Sequence, residues 1–288
     1  MAALFTLKEA AARAGGSLLG EGGIVPSGLS LDSRTVRPGE CFVALRAERD
    51  GHAFAATAVE KGAACLLVDH ALPLPVPQVI APDTLAAMQA WGAARLAESR
   101  PRAVFGVTGS VGKTSTKELL AGATGGWKTP GNRNNTLGLP QALACYPGGF
   151  EAVVLEMGMS TPGEIRRLTE IAPPDFGLIT NIGTAHLENF PEGQQGIARA
   201  KGELVAGLRP GGAWAFHAED AWCRWIAEQP WASHALAVPV GEADFRIEAV
   251  TSLGPKGERF VLRTPDYGLP VEIRLRGRHQ VGNAALAA

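Results

Sequence analysis

Gly106-Val107-Thr108-Gly109-Ser110-Val111-Gly112-Lys113-Thr114 follows the apolar run Ala103 to Val107 and opens the helical stretch Ser115 to Ala121. A strand, a glycine-rich turn and a helix in that order build a cradle for phosphate. The glycines let backbone N–H groups close on phosphate oxygens, and the helix N-terminus adds a favourable dipole. Lys113 is placed to reach the β- and γ-phosphates of a nucleotide, and the Thr114 hydroxyl to hold Mg²⁺. Gly109, Ser110, Val111, Gly112, Lys113, Thr114 and Ser115 therefore form the expected nucleotide-binding loop. The common phosphate-loop pattern has glycine at position 107, where this chain has Val107, and Gly109 takes over that service. A turn of this kind can also be only a tight turn, but Gly-Lys-Thr at its end favours phosphate.

Around the loop the text alternates continuous apolar runs with helical stretches, the pattern of a parallel sheet buried on both faces. Strands are expected at Ala103 to Val107, Ala152 to Leu155, Phe176 to Thr180 and Ala213 to Phe216. Farther on, Phe245 to Thr251, Arg259 to Thr264 and Val271 to Leu275 alternate at period two between turns, which predicts an antiparallel meander added to that sheet. On the amino-terminal side, Leu4 to Ala14 and Phe54 to Lys61 have helical spacing. Leu29 to Leu45 reads as short strands broken at Asp32-Ser33-Arg34 and at Pro38-Gly39, and Ala64 to Val68 as a further strand. Four prolines between Leu72 and Pro82 disfavour regular structure, and Thr84 to Arg100 is an amphipathic connector helix. The expected fold is α/β, with a small α/β domain over 1–82 and a central phosphate-loop domain with a mostly parallel sheet over 83–288. Gly282 to Ala288 only begins a helix, so the chain is expected to stop inside that second domain.

The 288 residues are 46% hydrophobic and 19% charged, enough for two cores. With 27 basic against 28 acidic side chains the formal charge is −1, so no global field favours nucleic acid or an anionic membrane. No run approaches the roughly 20 apolar residues of a membrane span, and Met1 to Lys8 has no secretory pattern. Cys41, Cys65, Cys145 and Cys223 lie far apart without a C-x-x-C pair, which reads as reduced thiols in a cytoplasmic protein.

A nucleotide loop does not name a reaction, and its partners must. Glu156 ends a central strand, placed to hold Mg²⁺ directly or through water, although a strand-end acid can be ordinary. His186 follows the third strand on the same side. Magnesium prefers oxygen, so a metal-ligand role and a satisfied loop histidine stay equally open. Lys201 in Ala200-Lys201-Gly202-Glu203 reads, by spacing, as a solvated helix lysine.

Six ordered motifs resemble the Mur ligases, the ATP-dependent family that builds the peptide stem of peptidoglycan. They are Thr108-Gly109-Ser110-Val111-Gly112-Lys113-Thr114 with Lys117-Glu118; Gly131-Asn132-Arg133-Asn134-Asn135-Thr136-Leu137-Gly138; Glu156-Met157-Gly158 with Gly163-Glu164-Ile165; Thr180-Asn181-Ile182-Gly183 with Ala185-His186; Ala200-Lys201-Gly202-Glu203; and Gly277-Arg278-His279 with Asn283. His279-Gln280 stands where His-Asn is common in the family. Asp32-Ser33-Arg34-Thr35 and Asp50-Gly51-His52 resemble the family's uridine-nucleotide domain.

The resemblance implies that Lys201 is carbamylated and, with Glu156, His186 and Thr114, holds magnesium, two ions in all. It implies that Asn283 lies near adenine, that Asn134 and Asn135 line the active site, and that Ser33 meets uracil beside Arg34. Thr136 and Arg166 are implied contacts to diphosphate or peptide. Within the family, Glu156-Met157-Gly158 and Gly109-Ser110-Val111-Gly112 favour the member that adds D-alanyl-D-alanine to UDP-MurNAc-tripeptide through an acyl phosphate. The tripeptide-forming member typically shows Glu-Val-Ser-Ser and Gly-Thr-Asn-Gly instead. A monomer with Lys113, Glu156, His186 and Lys201 in catalytic roles is the implied enzyme. Family members continue into a third domain, so a module that binds without turnover is one rival. A kinase or another carboxylate-amine ligase, such as a polyglutamate synthetase, is the other.

Overall fold

The computed structural model describes residues 5–99, 101–242 and 244–288. The chain divides into two compact units, Met1–Arg100 with Pro140–Gly149, and Pro101–Leu139 with Phe150–Ala288.

The first unit contains α1 (Leu7–Arg13), β1 (Ser17–Leu19), β2 (Leu29–Ser30), β3 (Cys41–Val43), α2 (Ala55–Glu60), β4 (Cys65–Val68), β5 (Gln78–Ile80) and α3 (Thr84–Ser99). Thr6 and Glu9 close a reciprocal capping box at the start of α1. The sheet order is β1-β5-β4-β3-β2, parallel from β2 to β5, with β1 antiparallel at the edge. Alternation assigns the faces: Cys41, Val43, Cys65 and Leu67 enter the core under α1 and α3, while Phe42, Ala44, Leu66 and Val68 enter a second core with Ala55 and Ala58 of α2. The expected helix start at Leu4 and helix end at Arg100 lie outside the described residues.

Two expectations change here. Gln78–Ile80 is a strand although it lies in the proline-rich stretch, because its three residues sit between Pro77 and Pro82 and keep their N–H groups for pairing with β4. Helix α3, expected beyond the boundary at 82, clusters with the first unit. Trp91 Nε1 donates to the Ala10 carbonyl at 2.8 Å, and Thr84 Oγ1 to the Ala44 carbonyl at 2.7 Å. Residues 140–149 belong here too: Gln141 Nε2 donates to the Leu29 carbonyl at 2.9 Å and Arg95 Nε to the Tyr146 carbonyl at 2.7 Å.

The second unit begins with β6 (Ala103–Thr108), α4 (Lys113–Thr124) and β7 (Trp127–Lys128), and α5 (Gly138–Ala144) carries the chain across to the first unit. It resumes with β8 (Ala152–Glu156), α6 (Glu164–Ile171), β9 (Phe176–Ile179), α7 (Gln194–Ala206), β10 (Ala213–His217), α8 (Ala221–Ala227) and β11 (Leu236–Val240). The six strands are all parallel in the order β11-β10-β9-β6-β8-β7. Chain order reverses on either side of β6, so its carboxyl end opens a crevice of the kind where α/β sheets take ligands.

Strands β12 (Arg246–Ser252), β13 (Glu258–Arg263) and β14 (Gly268–Ile273) form the expected meander, but as a sheet of their own rather than an extension of the parallel one. The parallel sheet ends at β11, where Pro239 has no N–H to give another strand. The meander instead buries Phe260, Leu262 and Ile273 against Leu120 of α4 and Val281 of the last helix, α9 (Arg278–Ala287). Among the described residues no helix is long and apolar enough to cross a membrane. Among the described residues no disulfide joins the four cysteines; Cys41, Cys65 and Cys223 are buried and Cys145 is exposed.

Candidate nucleotide site

The loop between β6 and α4 turns on two glycines. Gly109 has φ +148°, and a Cβ there would stand 1.8 Å from Thr180 Oγ1. Gly112 has φ +84°, and a Cβ there would stand 2.9 Å from Asn283 Oδ1. The loop is thus threaded between the end of β9 and α9 at distances no side chain allows. Asn181, just beyond β9, straps the tip: its Oδ1 accepts from the N–H of Ser110 and of Val111, both at 3.0 Å. Thr180 Oγ1 donates to the Val111 carbonyl at 2.5 Å, and Gly183 N–H to Ser110 Oγ at 2.8 Å. Asp220 secures the same segment, accepting from Ile182 N–H at 2.8 Å while its other oxygen caps α8.

Lys113 folds over the loop, Nζ donating to the carbonyls of Gly109 at 2.8 Å and Ser110 at 3.3 Å. Burial lowers its pKa, and the charge of Glu156 opposes that shift. Glu156 ends β8 almost fully buried, 2% exposed. Its Oε2 accepts from Thr114 Oγ1 at 3.0 Å and pairs with Lys117 Nζ at 3.3 Å. Its Oε1 accepts from Asn134 Nδ2 at 2.8 Å. A hydroxyl and a carboxylate oxygen side by side at a phosphate loop fit the hard-oxygen chemistry of magnesium, so the donor set accommodates that ion.

Lys201 is buried on α7, contrary to the solvated lysine its spacing suggested, and has no hydrogen-bond partner among the described residues. Burial pushes its pKa down to about 7, the positive charge of Lys113 adding to the effect. Cys223 of α8 faces this charge, its thiol pushed up by burial. Glu203, two residues along, receives the N–H of Gly163 at 2.9 Å and of Arg166 at 3.0 Å, and so caps α6.

Asn283 is buried in α9 beside Gly112. A cavity of about 870 Å³ opens there, lined by Val111, Gly112 and Ser115 of the loop and by His279 and Asn283 of α9. That volume is within the range of sites for small ligands.

The remaining expected residues stand elsewhere. His186 is half-exposed in left-handed backbone (φ +64°); its ring faces Glu188 at 4.0 Å and makes no ion pair with Glu156. Asn135 Oδ1 accepts from Gly138 N–H at 2.7 Å and serves the start of α5. Thr136 is half-buried, and Arg166 is exposed on α6. In the first unit Ser33 is buried, its hydroxyl without a partner among the described residues, while Arg34 is exposed and held by Asp32 at 2.7 Å. Lys117 and Asn181 had no expected role. Asp220, directly before an apolar helical stretch, carried an N-cap signal that could have been read.

Residues 107–288 match the family model described as Mur ligase middle domain. The chain is 35% identical over 274 residues to the UDP-N-acetylmuramoyl-tripeptide–D-alanyl-D-alanine ligase of Bacillus subtilis, covering 90% of this chain and 57% of that protein. It therefore spans little more than half the length of that relative. The crystal structure of MurF from Acinetobacter baumannii superposes with a TM-score of 0.88 at 31% identity, covering 99% of this chain and 64% of that one. MurF ligase from Thermotoga maritima, solved in complex with ADP, superposes with a TM-score of 0.76 at 28% identity, covering 90% of this chain and 61% of that one. Because the family match takes in the loop, Glu156, Lys201 and Asn283 in a single stretch longer than half the chain, the protein belongs to the Mur ligase family.

Proposed function

We propose that the protein is an ATP-dependent amide ligase that joins D-alanyl-D-alanine to UDP-MurNAc-tripeptide, giving UDP-MurNAc-pentapeptide, ADP and phosphate. The likeness to ligases that carry this reaction in their names supports the substrates. The observation that carries the reading is the meeting of Lys113, Thr114 and Glu156 at the crevice beside β6. Loop 109–115 would hold the phosphates of ATP, with adenine in the cavity at Asn283. The first unit would take the UDP end at Ser33 and Arg34. Asn134 is held on Glu156 and would act there, whereas Asn135, Thr136 and Arg166 are proposed to line the path of the peptide.

A carboxylate is a poor electrophile, and transfer of the γ-phosphoryl group to it supplies a leaving group that the amine displaces. Lys113 would neutralise charge building between phosphate and carboxylate, releasing its loop carbonyls to do so. Thr114 and Glu156 would hold magnesium, which when bound offsets the phosphate charge. Lys201, buried without a partner and with a pKa near 7, supplies the neutral amine that carbamylation needs. As a carbamate it would offer oxygen to a second ion. His186, whose ring faces Glu188, would serve that ion only if the 184–189 loop turned inward. The enzyme is proposed to work as a cytoplasmic monomer.

Phosphate release and product mass, measured with all substrates, test the proposal on this chain and on a longer one of the relatives' full length. Amide product is expected, and Lys113→Ala is expected to abolish it. Near-normal turnover by that variant would falsify the assignment. ATP binding without product from either chain would point to a different carboxylate-amine ligase.

A further inference from the structure

Lys117 is a lysine with no exposed surface. It sits one helical turn after Lys113 on the same face of α4, and its ammonium bridges two segments. Nζ donates to the Gly131 carbonyl at 2.7 Å and pairs with Glu156 Oε2 at 3.3 Å. Glu118 lies 3.7 Å away, but it is half-exposed and paired with Lys128. The buried carboxylate of the proposed cation site is therefore already neutralised by a residue of the chain. Lys113, near enough to feel Glu156, adds a second positive charge. One carboxylate against two cations gives a site whose charge repels a free divalent ion until phosphate oxygens arrive. A carbamate on Lys201 would bring the sum only to zero.

We propose that Lys117 is a positioning residue and a charge lock: it fixes Glu156 to the Gly131 loop and cancels its charge, so that the chain takes up a divalent cation only together with a nucleotide's phosphates. The inference rests on the proposed nucleotide site and adds the order in which that site fills. Two features follow from the same contact. Asn134, three residues beyond Gly131, is carried to Glu156 Oε1 by the loop that Lys117 holds. Glu156 Oε2 keeps its hydrogen bond from Thr114, so its geometry is set before any ion binds.

Mn²⁺ binding to the whole 288-residue chain, followed by electron paramagnetic resonance of the free ion at mildly alkaline pH, tests this directly. Without nucleotide, the wild-type chain and Lys117→Arg are expected to leave the ion free. Lys117→Gln retains a donor for Gly131 and drops the charge; it is expected to bind at least about tenfold more tightly, an effect any loss of structure would not produce. Combining it with Glu156→Gln is expected to remove that gain. A non-hydrolysable ATP analogue is expected to bring the ion onto the wild-type chain. Firm Mn²⁺ binding by the wild type without nucleotide, or equal binding by wild type and folded Lys117→Gln, overturns the proposal. Should Lys117→Gln fail to fold by circular dichroism, the wild-type measurement with and without analogue still decides. A chain that binds no analogue at all sinks the nucleotide site and this proposal together; the Lys117 comparison, made without nucleotide, fails separately.

Discussion

The Thr114 hydroxyl donates to Glu156 Oε2 across 3.0 Å, joining the first turn of α4 to the end of β8 at the place where phosphate and cation would meet. Thr114→Val keeps the shape of the side chain and removes the donor. Glu156 stays satisfied by Lys117 and Asn134, so the fold should be unchanged. Affinity for nucleotide in the presence of Mg²⁺ should fall roughly tenfold, about 1.4 kcal/mol, with little change when Mg²⁺ is chelated. Calorimetric titration under both conditions checks this; equal losses in both would place Thr114 outside the cation's reach.

Gly109→Ala puts a methyl group 1.8 Å from Thr180 Oγ1 in backbone that L side chains rarely adopt. Loop and strand end must separate, at a cost of about 1–3 kcal/mol in strain alone. The melting temperature should drop by several degrees, at roughly 2–4 °C per kcal/mol, and nucleotide binding should be lost. A variant that melts like the wild type would show that the loop has another conformation open to it.

Lys201 has a pKa of about 7 in the folded chain and an ordinary value, near 10.5, when unfolded. At and below neutral pH both states tend to carry the proton, and the folded state bears the full cost of burying it. Between pH 7 and 10.5 the unfolded chain holds more protons, so stability rises with pH across that window. Lys201→Met removes the cost and should raise the melting temperature at pH 6–7 by an amount worth a few kcal/mol, with the advantage shrinking toward pH 10. Melting curves for both chains over that range measure it. A variant less stable than wild type at pH 6 would contradict it.

Glu203→Ala leaves the N–H groups of Gly163 and Arg166 without their acceptor at the start of α6. A loss of about 0.5–2 kcal/mol is expected, typical of a missing helix cap. Denaturant unfolding should report it, while ATP affinity, read on the same preparation, stays within a factor of about two.

The phosphate loop was legible because everything that makes it is local: strand, glycines, Lys113 and Thr114 fall within a dozen positions. Glu156 was legible because a carboxylate closing an apolar run can only lie at a strand's carboxyl end. Lys117 and Lys201 were not legible from spacing, since a charged letter in a helix reads as surface and nothing local says that other elements cover it. The resemblance to a family, not the spacing, marked Lys201. His186 shows the converse case: its motif is present, yet the side chain points to Glu188. The meander's strands were visible in their alternation, but their sheet partners were not, because β-pairing is a long-range choice. Gln78–Ile80 was hidden by prolines that flank the strand without entering it.

The chain passes between its two units three times, after residue 100, after Leu139 and after Gly149. On the ribosome, the first unit cannot complete itself when its first hundred residues emerge; Gln141 and Tyr146 must still arrive to occupy Leu29 and Arg95. Synthesis of β6, α4 and β7 is therefore finished before the earlier unit closes, and these elements wait for β8, which enters the sheet between β6 and β7. For the same reason, a fragment cut at residue 82 or 100 would be an incomplete body, and a faithful dissection would have to graft 140–149 back onto it.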